Sequence, residues 1–308
     1  MIVRPRPALW QLFFIVRGSV VPRIWAQVTI VFLLSASVVW ARQAIPEVVP
    51  ILDAAPFTLL GIALSVFLAF RNNAAYERWW EGRKLWGQLI QLSRTLARQT
   101  LLLSERADVD GKAQRKDLLY LAIGFAHALV PHLREDAGAE KVRPFLSQDD
   151  AAALERGGRV PTLILGAISM RLARLRVSEV LTDIQFQLLD VTVGQMEAVL
   201  AGCERIRSTP VPFGYTLLLH RTAYLFCFIL PFSYAASLGW FTPFVTALVA
   251  YTFFGLDALG EELEEPFGSA PNDLPIDAIA QTIEIELRGA LGETDLPTLP
   301  IPVRYLLM

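Results

Sequence analysis

Ile62, Val66 and Phe70 stand four residues apart, so on a helix they share one face. That spacing suits two roles. They are ordinary packing or lipid-facing residues of a membrane-spanning helix. Alternatively, several subunits present the row to a common axis, and its rings form a narrow apolar throat that stops ions by dewetting rather than by charge. Spacing alone leaves both open. Reaction chemistry is missing elsewhere: there is no nucleophile motif, no Walker-type phosphate loop and no His-Glu-x-x-His. His127 and His132 are five apart and do not share a helix face well, and His220 borders an apolar run, where a snorkelling polar residue is expected. Cys203 and Cys227 lie far apart and indicate neither a disulfide framework nor a metal knuckle. The sequence therefore predicts no enzyme, no cofactor and no metal ligand.

The elements that position the row are apolar helices. The chain has 308 residues, 54% of them hydrophobic and a net charge of −2, with a mean hydropathy of +0.42. The excess of apolar residues is gathered in blocks, and the near-neutral charge suggests no nucleic-acid partner. From Thr222 to Leu256 no side chain is charged. At ~1.5 Å per residue that run would measure roughly 50 Å against a hydrocarbon core of ~30 Å, too long for one crossing and right for two. Ser237-Leu-Gly-Trp-Phe-Thr-Pro243 supplies the turn between them. Two shorter uncharged runs, Ile24 to Ala41 and Ala54 to Phe70, are each near the lower limit for one span.

Four spans put both termini on one side, and lysine and arginine say which. The N-terminal segment holds Arg4, Arg6, Arg17 and Arg23 without an acid, and span 2 exits into Arg71, Arg78, Arg83 and Lys84. The loop after span 1 has only Arg42 against Glu47 and Asp53. A multi-pass protein of the plasma (inner) membrane with cytoplasmic termini follows. Its expected parts are a cytosolic segment 1–23, spans at 24–41 and 54–80, a helical cytosolic domain 104–211, spans at 212–237 and 241–258, and a cytosolic segment 259–308. Span 2 meets no helix terminator at the membrane face and is expected to continue as a cytosolic helix to about residue 103. Leu118 to Val130 is too short to span and reads as the buried face of a cytosolic helix. The tail after Asp273 is Pro-rich, and Leu296-Pro-Thr-Leu-Pro-Ile-Pro is expected to be an extended arm, packed on a neighbour or frayed.

Four segments together resemble the bestrophin family of ion channels, in its bacterial branch. They are Arg17-Gly-Ser-Val-Val-Pro-Arg, Phe70-Arg-Asn-Asn-Ala-Ala-Tyr-Glu-Arg-Trp-Trp-Glu, His220-Arg-Thr-Ala-Tyr-Leu to Leu230-Pro-Phe, and Gly255-Leu-Asp-Ala-Leu-Gly-Glu-Glu-Leu-Glu-Glu-Pro-Phe-Gly. The resemblance implies an all-α membrane protein, with four transmembrane helices and a large helical cytosolic domain, pentameric around one central pore. It implies a passive, chloride channel-like conductor of monovalent ions, with Ile62, Val66 and Phe70 as the pore neck and Val180 at a cytosolic aperture. The partners so implied are monovalent ions, the lipid bilayer and the chain's own copies. The neck does not set ion sign, and Arg71 is expected either as a charged ring or in a salt bridge to Glu77 or Glu81. One departure stands out. Animal relatives follow Pro-Phe-Gly with acidic residues that clasp calcium, whereas here Pro266-Phe-Gly268 is followed by Ser269-Ala-Pro-Asn-Asp273. Calcium takes six to eight oxygen ligands, so no such site is expected. Glu261, Glu262, Glu264 and Glu265 are spaced as a solvated or inter-subunit salt-bridge face of a helix. The competing reading of the whole chain is a membrane-anchored scaffold whose cytosolic domain binds a partner.

Overall fold

The computed structural model describes residues 1–5, 7–12, 14–47, 49–50, 52–105, 110–136, 139–155 and 157–307. Arg6, counted above among the N-terminal basic residues, lies outside them. The principal helices are α1 (Val21–Ala44), α2 (Ala54–Gln99), α3 (Gly111–Arg134), α4 (Val160–Val177), α5 (Asp183–Ser208), α6 (Phe213–Leu238), α7 (Thr242–Glu264) and α8 (Ile276–Ala290). Among the described residues β-pairing is confined to isolated bridges at the two chain ends.

Local chemistry sets the helix limits. Pro22 and Pro243 sit in the first turns of α1 and α7, where a missing N–H costs nothing. Asp53 Oδ1 accepts from the Ala55 amide at 3.0 Å and caps α2. Thr182 and Gln185 close a capping box on α5. Nothing stops α2 between Ala54 and Gln99, as its lack of an internal terminator predicts.

The chain divides into two compact units. One holds Arg4–Trp79 and Pro210–Pro266, the other Met1–Val3, Trp80–Thr209 and Phe267–Met308. In the first, side-chain contacts, some of them to backbone carbonyls, give the helix directions. Tyr234 meets Thr242, Phe226 meets Phe253, and His220 meets Asp257. As one number falls the other rises, so α6 and α7 are an antiparallel hairpin. The chain reverses at the 3₁₀ turn Gly239–Phe241, where Gly239 takes a φ of 53°. Phe32 against Phe244 and Arg23 against Glu261 set α1 antiparallel to α7. Arg71 with Asp257 and Arg78 with Glu264 set α2 parallel to α7. The shared core contains Val31, Leu64, Leu68, Ala223, Cys227, Ala250 and Phe254. Three stretches are long and apolar enough to cross a membrane: Val21–Ala44, Ala54–Ser104 and Phe213–Glu264. The last contains the hairpin turn.

The second unit is built on α3. Leu118, Leu119, Leu121, Ile123, Phe125 and Leu129 are at most 1% exposed. A helix this apolar around its circumference has to be enclosed by others. It packs against α4 and α8. His127 stacks on Phe145 with ring centroids 5.3 Å apart and meets Glu284 at 2.9 Å. Burial lowers the His127 pKa, and the Glu284 carboxylate opposes that only in part.

The tail differs from the sequence expectation. After Asp273 comes a helix, α8, whose Ile276, Ile279, Ile283 and Leu287 are buried at helical spacing. The extended arm begins only beyond it and is tied to its own chain. Gln281 donates to the Thr298 carbonyl at 2.9 Å, and Arg288 donates to the Asp295 carbonyl at 2.6 Å. The chain ends also pair, Val3 N–H donating to Tyr305 O at 2.8 Å.

Glu293 closes this segment on a cluster of donors: Arg288 at 2.7 Å, Tyr120 at 2.7 Å and Lys116 at 3.1 Å. Hydrogen bonding from Arg288, with lesser help from Tyr120 and Lys116, holds its carboxyl down from 4.5 to about 2. A carboxyl depressed in the folded state contributes stability that is fully present above its unfolded value and is lost as pH falls through the folded one. Acid titration of the purified protein is therefore expected to show a stability loss between pH 4.5 and about 2 that Glu293→Gln flattens. Identical acid profiles for the two proteins would dismiss this cluster as a stabilising element.

Candidate functional site

Between residues 62 and 75, α2 has two faces of opposite character. Ile62, Val66 and Phe70 are 59%, 47% and 61% exposed. Leu64, Leu68, Arg71 and Ala75 are at most 2% exposed. The structure thus brings the three expected neck residues onto one exposed, uncharged row, backed by a buried stripe. Both roles left open by the spacing require that exposure.

Arg71 is a correction. It pairs with neither Glu77 nor Glu81 and belongs to the buried stripe, not the exposed row. Its Nη1 donates to Asp257 Oδ1 at 2.5 Å, and Glu264 Oε2 lies 3.8 Å from Nη2. Both side chains of the Arg71–Asp257 pair are almost wholly enclosed. His220 Nδ1 meets the other oxygen of Asp257 at 2.6 Å, and its ring lies 4.4 Å from that of Tyr224. Glu81 pairs with Arg205 instead. A cation on a packed stripe is desolvated and has to be paired, and the pair exists because Asp257 stands level with Arg71 on the parallel helix α7. The sequence carries a signal for it. Asp257 is the first charge after the uncharged run ending at Leu256, and Arg71 is the first after Phe70. Ionisable residues at matching ends of apolar helices ask for one another.

Of the acids beyond Asp257, Glu261, Glu262 and Glu264 lie within ion-pair distance of arginines. Arg23 holds Glu261 at 3.1 Å and Glu262 at 3.4 Å within the same chain, without a second subunit. Ligand atoms of His220, Asp257 and Glu261 lie within 4.8 Å of one another, but Arg71 and Arg23 already engage the two carboxylates. After Pro266, the Asp273 carboxylate accepts from the Ala270 amide at 2.7 Å and so closes its own turn.

The residue expected at a cytosolic aperture is Val180. It is 5% exposed in the turn between α4 and α5, while Val177, at the end of α4, is 83% exposed. The turn folds inwards at Val180 because its amide bonds back to the Leu175 carbonyl at 2.9 Å. Within three residues the chain thus passes from an exposed apolar side chain at Val177 to an enclosed one at Val180.

The family model for bacterial and fungal bestrophin proteins matches residues 1–289. A voltage-dependent anion channel-forming protein of Mesorhizobium japonicum, mll4386, is 44% identical, the match covering 99% of this chain and 97% of that protein. The voltage-dependent anion channel-forming protein YneE of Escherichia coli is 41% identical over 99% of both chains. A crystal structure of a bacterial bestrophin homolog from Klebsiella pneumoniae superposes with a TM-score of 0.83 at 36% identity, covering 88% of this chain and 99% of that one. Matched in sequence over nearly its whole length and in fold over most of it, the chain belongs to the bestrophin family.

Proposed function

We propose that this chain is the subunit of a passive ion channel, a homopentamer in the inner membrane with four spans per subunit and both termini cytoplasmic. The spans are α1, the first part of α2, α6 and α7. The antiparallel hairpin of α6 and α7 supports counting the Phe213–Glu264 stretch as two crossings. The single observation that carries the reading is the row Ile62, Val66 and Phe70, exposed and uncharged on a helix whose opposite face is packed. Repeated around an axis, the row gives three stacked apolar rings. Water leaves a narrow apolar constriction readily, and a dehydrated ion crosses it at high cost, so such a neck gates without a charged residue. The cytosolic constriction belongs to the turn between α4 and α5, with Val177 as its exposed apolar side chain and Val180 as the residue that anchors the turn.

The enclosure of Arg71 leaves the neck without a fixed charge, so selectivity has to come from residues above and below it. Relatives named as anion channel-forming proteins make chloride the first ion to test. The experiment is reversal potential in asymmetric KCl after reconstitution into planar bilayers, with liposome flux in parallel. Currents that reverse towards the chloride equilibrium potential are expected. Reversal towards potassium keeps the channel and assigns the opposite sign. Absence of flux under any gradient leaves the scaffold reading in its place.

A further inference from the structure

The buried stripe of α2 runs Leu64, Leu68, Arg71, Ala75, at i, i+4, i+7 and i+11. Three members are what a packed stripe needs. The remaining member, Arg71, is a cation, and replacing such a buried pair with apolar residues of similar volume is often neutral or stabilising. Packing therefore does not account for Arg71. Position does. An all-apolar stripe can slip against its neighbours and still bury the same kind of surface, whereas a buried charge is satisfied in one register only.

The surroundings are built for one register. Asp257 receives Arg71 on Oδ1 and His220 on Oδ2, so side chains of α2, α6 and α7 meet on one carboxylate. The other acids near this end of α7 are no substitute, because Glu261 and Glu262 are engaged by Arg23 and Glu264 stands off at 3.8 Å. Close approach is enforced at the same level. A Cβ on Gly260 would lie 2.5 Å from Asn72 Oδ1 and 3.5 Å from Arg71 Cζ, so a side chain there would have to displace Asn72 beside the clamp. Arg71 directly follows Phe70. A slip of one residue would turn α2 by about 100° and a slip of one turn would move it about 5.4 Å, and either would take Phe70, Val66 and Ile62 off the axis or out of level.

We propose that Arg71 is a positioning residue: clamped by Asp257 and His220, it fixes the height and rotation of the Ile62–Val66–Phe70 row, and it does not itself face the ion path. This rests on the neck reading above.

The test maps which positions of α2 face the shared axis. Cys203 and Cys227 are both buried, so single cysteines placed by Ile62→Cys, Ala63→Cys, Val66→Cys, Phe67→Cys or Phe70→Cys report on their own sites. Each is made in the otherwise unchanged chain, in Arg71→Lys, and in the uncharged double variant Arg71→Met/Asp257→Leu. Oxidative cross-linking between subunits is then measured in the reconstituted full chain, with helicity and oligomer size checked first. The double variant removes both enclosed charges of the pair, leaves Glu264 with its bond from the Val211 amide at 3.0 Å, and is expected to fold. In the unchanged chain and in Arg71→Lys, cross-links are expected at 62, 66 and 70 and not at 63 or 67. In the double variant, cross-linking at 63 and 67 is expected to rise several-fold at the expense of 66. A double variant that folds and keeps the original pattern overturns the positioning role while leaving the neck intact. A pattern in the unchanged chain that favours 63 and 67 overturns the neck reading, and the positioning role with it.

Discussion

Shortening Ile62, Val66 and Phe70 together to alanine is expected to raise single-channel conductance several-fold in planar bilayers. The physical basis is the width dependence of dewetting. A constriction lined by Ile, Val and Phe sheds water because its wall offers no hydrogen bond and leaves little room for a hydration shell. Alanine is also apolar but retracts the wall, so water and hydrated ions occupy the space. The effect on folding is expected to be small, because all three side chains are about half exposed or more in the chain and the opposite face of α2 supplies the packing. A second variant separates width from polarity. Val66→Thr keeps the shape and adds a hydroxyl, and it is expected to raise conductance by wetting the ring at unchanged diameter. If the triple alanine variant conducts like the original, these residues face lipid or a neighbouring helix and the neck lies elsewhere.

The sequence showed this row and not what stands behind it, for a physical reason. Periodicity along one helix places Ile62, Val66 and Phe70 on a common face, and composition places that helix in a bilayer. Both are local properties. The partner of Arg71 is 186 residues away, and its nearby candidates, Glu77 and Glu81, were acids on the same helix. Only the parallel setting of α2 and α7 makes Asp257 the answer. The Leu118 to Val130 block was read correctly as an enclosed helix, since length alone separates it from a span. Helix α8 was not legible from proline content, because Pro275 lies just before its first turn and the remaining prolines of the tail lie beyond its end, leaving the helical spacing of Ile276, Ile279, Ile283 and Leu287 uninterrupted. Which way Val180 faces was not legible, because a turn with a bond from its amide to Leu175 reverses inside and outside within three residues, which no periodicity records.

The largest effect on stability is expected at Trp86. In the unit containing Trp80–Thr209, α2 buries Trp86, Leu89, Leu96 and Ser93, each at most 1% exposed. Trp86 is the largest of the fully buried side chains. Trp86→Ala removes the whole ring system from a closed site, and large-to-small changes of this kind cost about 3–5 kcal/mol through lost transfer energy and the remaining cavity. The indole nitrogen has no hydrogen-bond acceptor among the described residues. An unsatisfied buried donor costs about 1–3 kcal/mol, so Trp86→Phe removes a liability as it removes volume, and the two changes are expected to offset to within about 1 kcal/mol. Denaturation of the purified full chain, followed by circular dichroism and native tryptophan fluorescence, gives the ordering: phenylalanine near the original, alanine far below. A phenylalanine variant as unstable as the alanine one would mean that the indole N–H finds an acceptor after all. The neck row lies in the other unit, so alanine-variant channels that stay folded are expected to conduct as before. Trp86 would then govern how many channels survive, and Ile62, Val66 and Phe70 how much each one passes.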